Sequence, residues 1–329
     1  MARAVELAAN GPEHGPNPRV GCVILGPDGR VLGEGWHRGA GTPHAEVAAL
    51  ADARRAGADV RGGTAVVTLE PCAHTGRTGP CVDALTDAGV ATVEYAVEDP
   101  GGASGGGAAV LAARGIPATH APQEGASTLT RRWIASMRLG RPYVIAKWAA
   151  TLDGRMAAAD GTSFWITGEE AREHAHQVRG TVDAIAVGTG TVVADDPSLS
   201  ARPGGAESGH QPLRVVIGES PTPDAQVWRD ANAIAVHAHR PADVLEALHE
   251  REVRTLLVEG GPTVLAAFFR AGLVDEAHAY IAPALLGAGP AVVAGLGIET
   301  MQDALRGQSV TSRPLGADTL VTALFPRGV

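Results

Sequence analysis

Short apolar runs closed by turn residues alternate along the whole chain with stretches whose apolar positions recur at helical spacing. Residues 2–9 read as a helix, and 20–25 as a strand that stops at Gly26-Pro27-Asp28-Gly29 and returns over 31–36 as a hairpin. Thr42 suits an N-cap and Pro43 a first helical position, so a helix is expected to about Arg55 with His44 and Glu46 in its first turn. A buried-type strand over 64–69 ends at Glu70-Pro71, because proline has no N–H to give a ladder. A helix over 82–88, opened by Cys81, and a strand over 92–97 follow. The glycine-rich stretch 101–107 reads as a loop without obvious chemistry, and 111–115 as helical.

A helical segment between about 121 and 141 ends at Gly140-Arg141-Pro142, where the pattern restarts. Strands over 143–148, 184–187, 213–217, 233–237, 255–258 and 276–281 then alternate with helices over 242–251 and 263–271. Alternation in both halves predicts two α/β domains, 1–141 and 142–329, the first of them three-layered. The length of 329 residues fits two cores.

Composition narrows the function classes. No apolar run reaches membrane-spanning length and no signal peptide opens the chain, so a cytoplasmic protein with no membrane partner is expected. Three cysteines make a disulfide framework improbable. A formal charge of −9 without a basic block argues against a nucleic-acid partner, so any anion must be held by local groups. Lys147 is the single lysine among 27 basic residues, within the apolar stretch 143–150. A compact ammonium is wanted there, or one lysine has survived by chance and snorkels from a strand end.

The chemistry concentrates in Thr42-Pro43-His44-Ala45-Glu46, Glu70-Pro71-Cys72 and Cys81, with eight residues between the two cysteines. One imidazole, two thiolates and a spare carboxylate form the set for a catalytic zinc that keeps one vertex open for water. Zinc makes that water a hydroxide nucleophile, and Glu46 carries its proton to a leaving amine, as in zinc deaminases. The short Cys-x-x-Cys spacing of many such enzymes is absent. Two other readings stay open: the cysteines as small core residues, and His74 as fourth ligand of a structural zinc. Cys22, inside an apolar strand, reads as core packing.

In the second half no G-x-G-x-x-G or P-loop follows any strand. A nucleotide would instead meet free backbone N–H groups where 258–263 passes through Gly260-Gly261 into a helix, and at the turn 188–191.

With the runs PNPRVG, GTPHAEVAAL and CAHTGRTGPC, followed by RPYVIAKWAATLDGR, SFWITG, ADDPSL and VEGGPTVL, nearly the whole chain resembles the bifunctional riboflavin biosynthesis deaminase/reductase family. The resemblance implies a cytidine-deaminase-like first domain and a second domain like dihydrofolate reductase. The first would deaminate 2,5-diamino-6-ribosylamino-4(3H)-pyrimidinone 5′-phosphate with zinc, and the second would reduce the ribosyl group to ribityl with NADPH. It implies His44, Cys72 and Cys81 as zinc ligands, Glu46 as proton shuttle, and Asn17, His74 and Arg77 around the first substrate. For NADPH it implies Ala149, Trp165, Thr191, Asp195, Gly261, Pro262, Thr263, Val264, Leu265, Ala266 and Ala267. For the second substrate it implies Ser163, Arg179, Leu199, Arg202 and Glu259, and Lys147, near that site, is separately expected to polarise or protonate the ribose oxygen as the ring-opened sugar is reduced.

Asn17 is also compatible with a plain turn residue, and Arg77 with a solvated one. Gly101-Gly102 stands where the family has Asn-Pro, which weakens any substrate role for that loop, while Thr151 for a common serine keeps the hydroxyl; Thr130 replaces a frequent asparagine. A homo-oligomer is expected, of a size the sequence leaves open. The rival reading keeps an active deaminase and gives the second domain nucleotide binding without hydride transfer.

Overall fold

Val23 shares a core with Ala4 and Leu7, whereas its neighbours Cys22 and Ile24 share another with Ala45 and Ala49. That period-two split puts helix α1 (Ala2–Ala8) on one face of strand β1 (Gly21–Leu25) and, beyond strand β2 (Val31–Trp36), helix α2 (Ala45–Arg55) on the other. The computed structural model describes residues 1–76, 79–102, 104–238, 240–293 and 295–325, in two compact units, Met1–Gly140 and Arg141–Val329. The first unit continues with β3 (Thr64–Val67), α3 (Cys81–Asp87), β4 (Thr92–Tyr95), α4 (Gly107–Ala113), β5 (Ala118–His120) and α5 (Glu124–Leu139). Its sheet has the order β2-β1-β3-β4-β5, antiparallel across β2-β1-β3 and parallel from β3 to β5. Helices on both faces make it three-layered.

The second unit comprises β6 (Tyr143–Thr151), α6 (Glu169–Arg179), β7 (Ala184–Gly188), α7 (Thr189–Asp195), β8 (Leu213–Ile217), β9 (Ala233–Val236) and α8 (Pro241–His249), followed by β10 (Thr255–Val258), α9 (Pro262–Arg270), β11 (Glu276–Ala282), β12 (Gln308–Leu315) and β13 (Asp318–Leu324). Its sheet runs β12-β13-β11-β6-β10-β7-β8-β9, parallel except where β13 pairs with β11 and β12. Both halves are α/β, as the pattern predicts. β10 is buried at every position between β6 and β7, which is why it reads as an unbroken apolar run.

A fork fixes the register where the parallel pair β6 and β11 begins. Arg141 donates from Nη1 to Asp275 Oδ2 at 2.7 Å and from Nη2 to Oδ1 at 2.8 Å, and Val144 N donates to the same Oδ2 at 2.8 Å. The side chains of Arg141 and Asp275 are 9 % and 10 % exposed. Asp275→Ala leaves a buried guanidinium without its countercharge and a backbone N–H unanswered, so we expect a loss of about 3 kcal/mol, read as a lower denaturant midpoint. A change within about 0.5 kcal/mol, the ordinary scatter of surface substitutions, would assign the fork no structural weight.

Several elements depart from the pattern. Helix α4 begins at Gly107, inside the stretch expected to be loop, and Thr189 to Asp195 form a helix where a turn was expected. Helix α6 buries only Ala171, Ala175 and Val178, too thin a stripe to read. Strand β12 is exposed over seven of its eight residues and so has no alternation to read.

Candidate functional site

Helix α2 starts at Ala45, and His44 occupies its N-cap in extended conformation (φ −66°, ψ 160°). The expected Thr42 cap is thereby corrected. His37 Nδ1 lies 3.0 Å from the Pro43 carbonyl, which holds the chain extended through Pro43, while Thr42 Oγ1 donates to the Gly39 carbonyl. Glu46 keeps its place in the first turn and is buried. Gly35 lets the helix lie this close, since a Cβ there would sit 2.4 Å from Ala49 N.

Cys72 lies in the turn that follows β3, and Cys81 opens α3. His44 Nδ1 is 3.2 Å from Cys81 Sγ and 3.5 Å from Cys72 Sγ, and all three ligand atoms fall within 4.8 Å of one another. Tetrahedral zinc on one nitrogen and two sulfurs has ligand-to-ligand edges of about 3.5 to 3.8 Å, so the trio matches the ion in type and in span. His74 does not join the cluster.

The electrostatics agree with a cation site. A hydrogen bond from Cys81 pulls the Cys72 thiol below its usual range against the cost of burial, with His44 adding to the pull, and that same bond followed by burial pushes Cys81 up. Two buried sulfurs thus share one proton, which a divalent ion displaces when it binds. Burial pushes the Glu46 carboxyl up, as suits a group that must take and release a proton.

The sequence-predicted Asn17 is oriented by a residue the sequence reading missed. His37, also buried, turns its ring edge toward His44 at 5.5 Å between centroids. With Nδ1–H donated to Pro43, its Nε2 accepts from Asn17 Nδ2 at 2.9 Å, which leaves Asn17 Oδ1 as an acceptor without a partner among the described residues. Burial holds His37 below its ordinary value and so neutral. His74 is half-buried, with Nδ1 enclosed and without a hydrogen-bond partner among the described residues. Arg77 lies outside the described residues.

Glu70 is the second residue missed. Its buried carboxylate accepts from Ala108 N at 2.9 Å and from Asp99 N at 3.2 Å, and Ala73 N donates to Ser104 O at 3.1 Å. The glycine-rich stretch is therefore strapped onto the Cys72 turn. A Cβ on Gly107 would lie 1.7 Å from the Pro71 carbonyl oxygen.

In the second unit a cleft of about 1230 Å³ gathers Lys147, Ala149, Ser163, Trp165, Arg179, Asp195, Leu199, Arg202 and Glu259 into one lining. Glu259, just past β10, is the buried anchor. Arg179 grips it with Nε to Oε1 and Nη2 to Oε2, both at 2.8 Å, and Lys147 Nζ reaches Oε2 at 3.3 Å. Burial alone would raise this carboxyl, yet Arg179 and Lys147 overcome that cost and hold it well below the usual range. A depressed carboxyl contributes stability above its ordinary pKa and loses it as pH falls, so the triad outlasts ordinary carboxylates on acidification.

Thr191 and residues 261–267 lie outside the cleft lining. Gly261 caps α9, and Thr191 Oγ1 lies 3.2 Å from where its Cβ would be; Pro262, Thr263 and Val264 form the first turn, and Ala267 follows, half-buried. Leu265 and Ala266 are fully buried.

Residues 1–97 match the cytidine and deoxycytidylate deaminase zinc-binding region, and residues 142–321 match the RibD C-terminal domain. The chain is 47 % identical to riboflavin biosynthesis protein RibD of Mycobacterium tuberculosis (strain CDC 1551 / Oshkosh), over 93 % of this chain and 91 % of that one. The chain belongs to the RibD family. Identity to RibD of Escherichia coli (strain K12) is 38 % over 97 % and 96 % of the two chains. The fold superposes on Acinetobacter baumannii RibD, form 1, with a TM-score of 0.90 at 35 % identity, covering 99 % of this chain and 98 % of that one. A Thermotoga maritima diaminohydroxyphosphoribosylaminopyrimidine deaminase/5-amino-6-(5-phosphoribosylamino)uracil reductase superposes with a TM-score of 0.88 at 32 % identity, covering 99 % and 97 %. RibD membership makes this chain a bifunctional enzyme of riboflavin biosynthesis, joining a zinc-binding, cytidine-deaminase-like domain to an NADPH-dependent, dihydrofolate-reductase-like one that act on a small molecule. No helix among the described residues is long and apolar enough to cross a membrane.

Proposed function

We propose that residues 1–141 deaminate 2,5-diamino-6-ribosylamino-4(3H)-pyrimidinone 5′-phosphate and that residues 142–329 then reduce its ribosyl group to ribityl. The carrying observation is the His44, Cys72 and Cys81 cluster with buried Glu46 in the first turn of the helix that His44 caps. Zinc held by those three residues supplies a Lewis acid that brings water to a reactive protonation state near neutral pH. Glu46 takes the proton from the attacking water at a carboxylate oxygen and hands it to the departing amine, which leaves only when protonated. Asn17, locked by His37, reads the pyrimidine edge with its Oδ1. His74 offers a second ring contact, and Arg77 a clamp for the phosphate.

In the cleft NADPH supplies hydride, so the protein's work is to position and to deliver a proton. Arg179 and Arg202 suit the 5′-phosphate, with Ser163, Leu199 and Glu259 shaping the substrate side. Ala149, Trp165, Asp195, Thr191 and the backbone of 261–267 serve the cofactor. Lys147 is placed to polarise or protonate the ribose oxygen as the ring-opened sugar is reduced. We further place the enzyme in the cytoplasm, where free Cys22, Cys72 and Cys81 stay reduced, and as a homo-oligomer.

A two-step assay tests the reading. Ammonia release without NADPH, followed by NADPH consumption on the product, is expected from zinc-loaded protein, and Lys147→Met is expected to slow only the second step about 100-fold. Ammonia release without NADPH consumption would leave a deaminase with an inactive second domain.

A further inference from the structure

Lys147 is held loosely by its obvious partner. The Arg179 fork takes both oxygens of Glu259 at 2.8 Å, and the Lys147 bond at 3.3 Å is the longest of the three. An ammonium on a four-carbon stem needs a second restraint to stand still.

Tyr280 is placed to be that restraint. It lies in β11 in register with Ala149 of β6, is 1 % exposed, and packs with Ala171, Ala175 and Leu320. The centroid of its ring is 5.5 Å from Lys147 Nζ, within the range of a cation–π contact. Its hydroxyl is 2.7 Å from Nδ1 of His174, which lines the cleft from α6. Burial, then Arg313 and His278, bring His174 down to about 4, and burial pushes the Tyr280 phenol up. At neutral pH the phenol therefore donates and the neutral imidazole accepts, and the bond enriches the ring that faces the ammonium.

We propose that Tyr280, its hydroxyl tied to His174, is a positioning residue for the reductase step that holds the Lys147 ammonium by a cation–π contact. The proposal rests on the reading of Lys147 as proton donor.

The test uses full-length zinc-loaded enzyme, with ammonia release as a control for folding. Tyr280→Leu is expected to lower the reductase kcat about tenfold while the KM values for substrate and NADPH stay within about twofold. Tyr280→Phe keeps the ring and is expected to restore most of the rate. Phenylalanines carrying one, two and three ring fluorines at position 280, which weaken the ring's negative face at nearly constant volume, are expected to lower kcat stepwise. A purely structural role predicts a flat series. If the leucine variant fails to accumulate, the fluorinated series alone decides. A flat series beside an inactive Lys147→Met overturns the positioning role and leaves the donor in place; a fully active Lys147→Met removes the donor itself.

Discussion

Glu46→Gln is expected to cut the deaminase rate about 1000-fold while zinc content and the reduction of supplied deaminated substrate stay at wild-type levels. The amide keeps the shape of a buried side chain but cannot carry a proton, and removing a general acid and base that serves two transfers forfeits about 4 kcal/mol of transition-state stabilisation. Zinc is retained because the ligand atoms belong to His44, Cys72 and Cys81. Metal analysis beside an ammonia assay reads both halves of the expectation. A variant that turns over within about tenfold of wild type would remove Glu46 from the chemistry and pass the shuttle to another group.

Gly107→Ala is expected to empty the metal site without touching a ligand. The new methyl would sit 1.7 Å from the Pro71 carbonyl oxygen and 3.2 Å from Val82 Cγ1, so the backbone of Pro71, next to Cys72, or that of the helix start has to move. The Glu70 hydrogen bonds to Ala108 N and Asp99 N, which tie the helix start to that turn, go with it. We expect zinc stoichiometry to fall severalfold and stability to drop by about 3 kcal/mol or more, an effect of backbone displacement in a buried region. Gly102→Ala is the matched control: nothing lies within 4 Å of its Cβ position. Full zinc content in Gly107→Ala would show that the strap does not hold the ligand turn.

The ligands could be read from the sequence because they are rare residue types at a spacing that chemistry restricts. Their support could not. Glu70 answers backbone N–H groups 29 and 38 residues away, and a bond to backbone leaves no mark on the partner's identity. His37 was a lone histidine after a strand until the fold set it against His44 and Asn17. Local rules also misplaced Thr42, since the His37 bond to Pro43 outweighs the preference of proline for a first helical turn. Tyr280 and His174 sit more than 100 residues apart and meet only through β11 and α6. The α/β alternation itself was legible wherever strands were buried on both faces, and failed at α6, whose polar face lines the cleft, and at exposed β12.

A single ε-amine in a chain whose other side-chain cations are all guanidinium groups has a chemical corollary. Amine-selective acylating and aldehyde reagents spare arginine, so besides the terminal amino group they meet one side-chain amine, seated beside Glu259 with its side chain 17 % exposed. The reductase cleft thus carries its own covalent address, where a reporter group could be anchored without mutating any other residue.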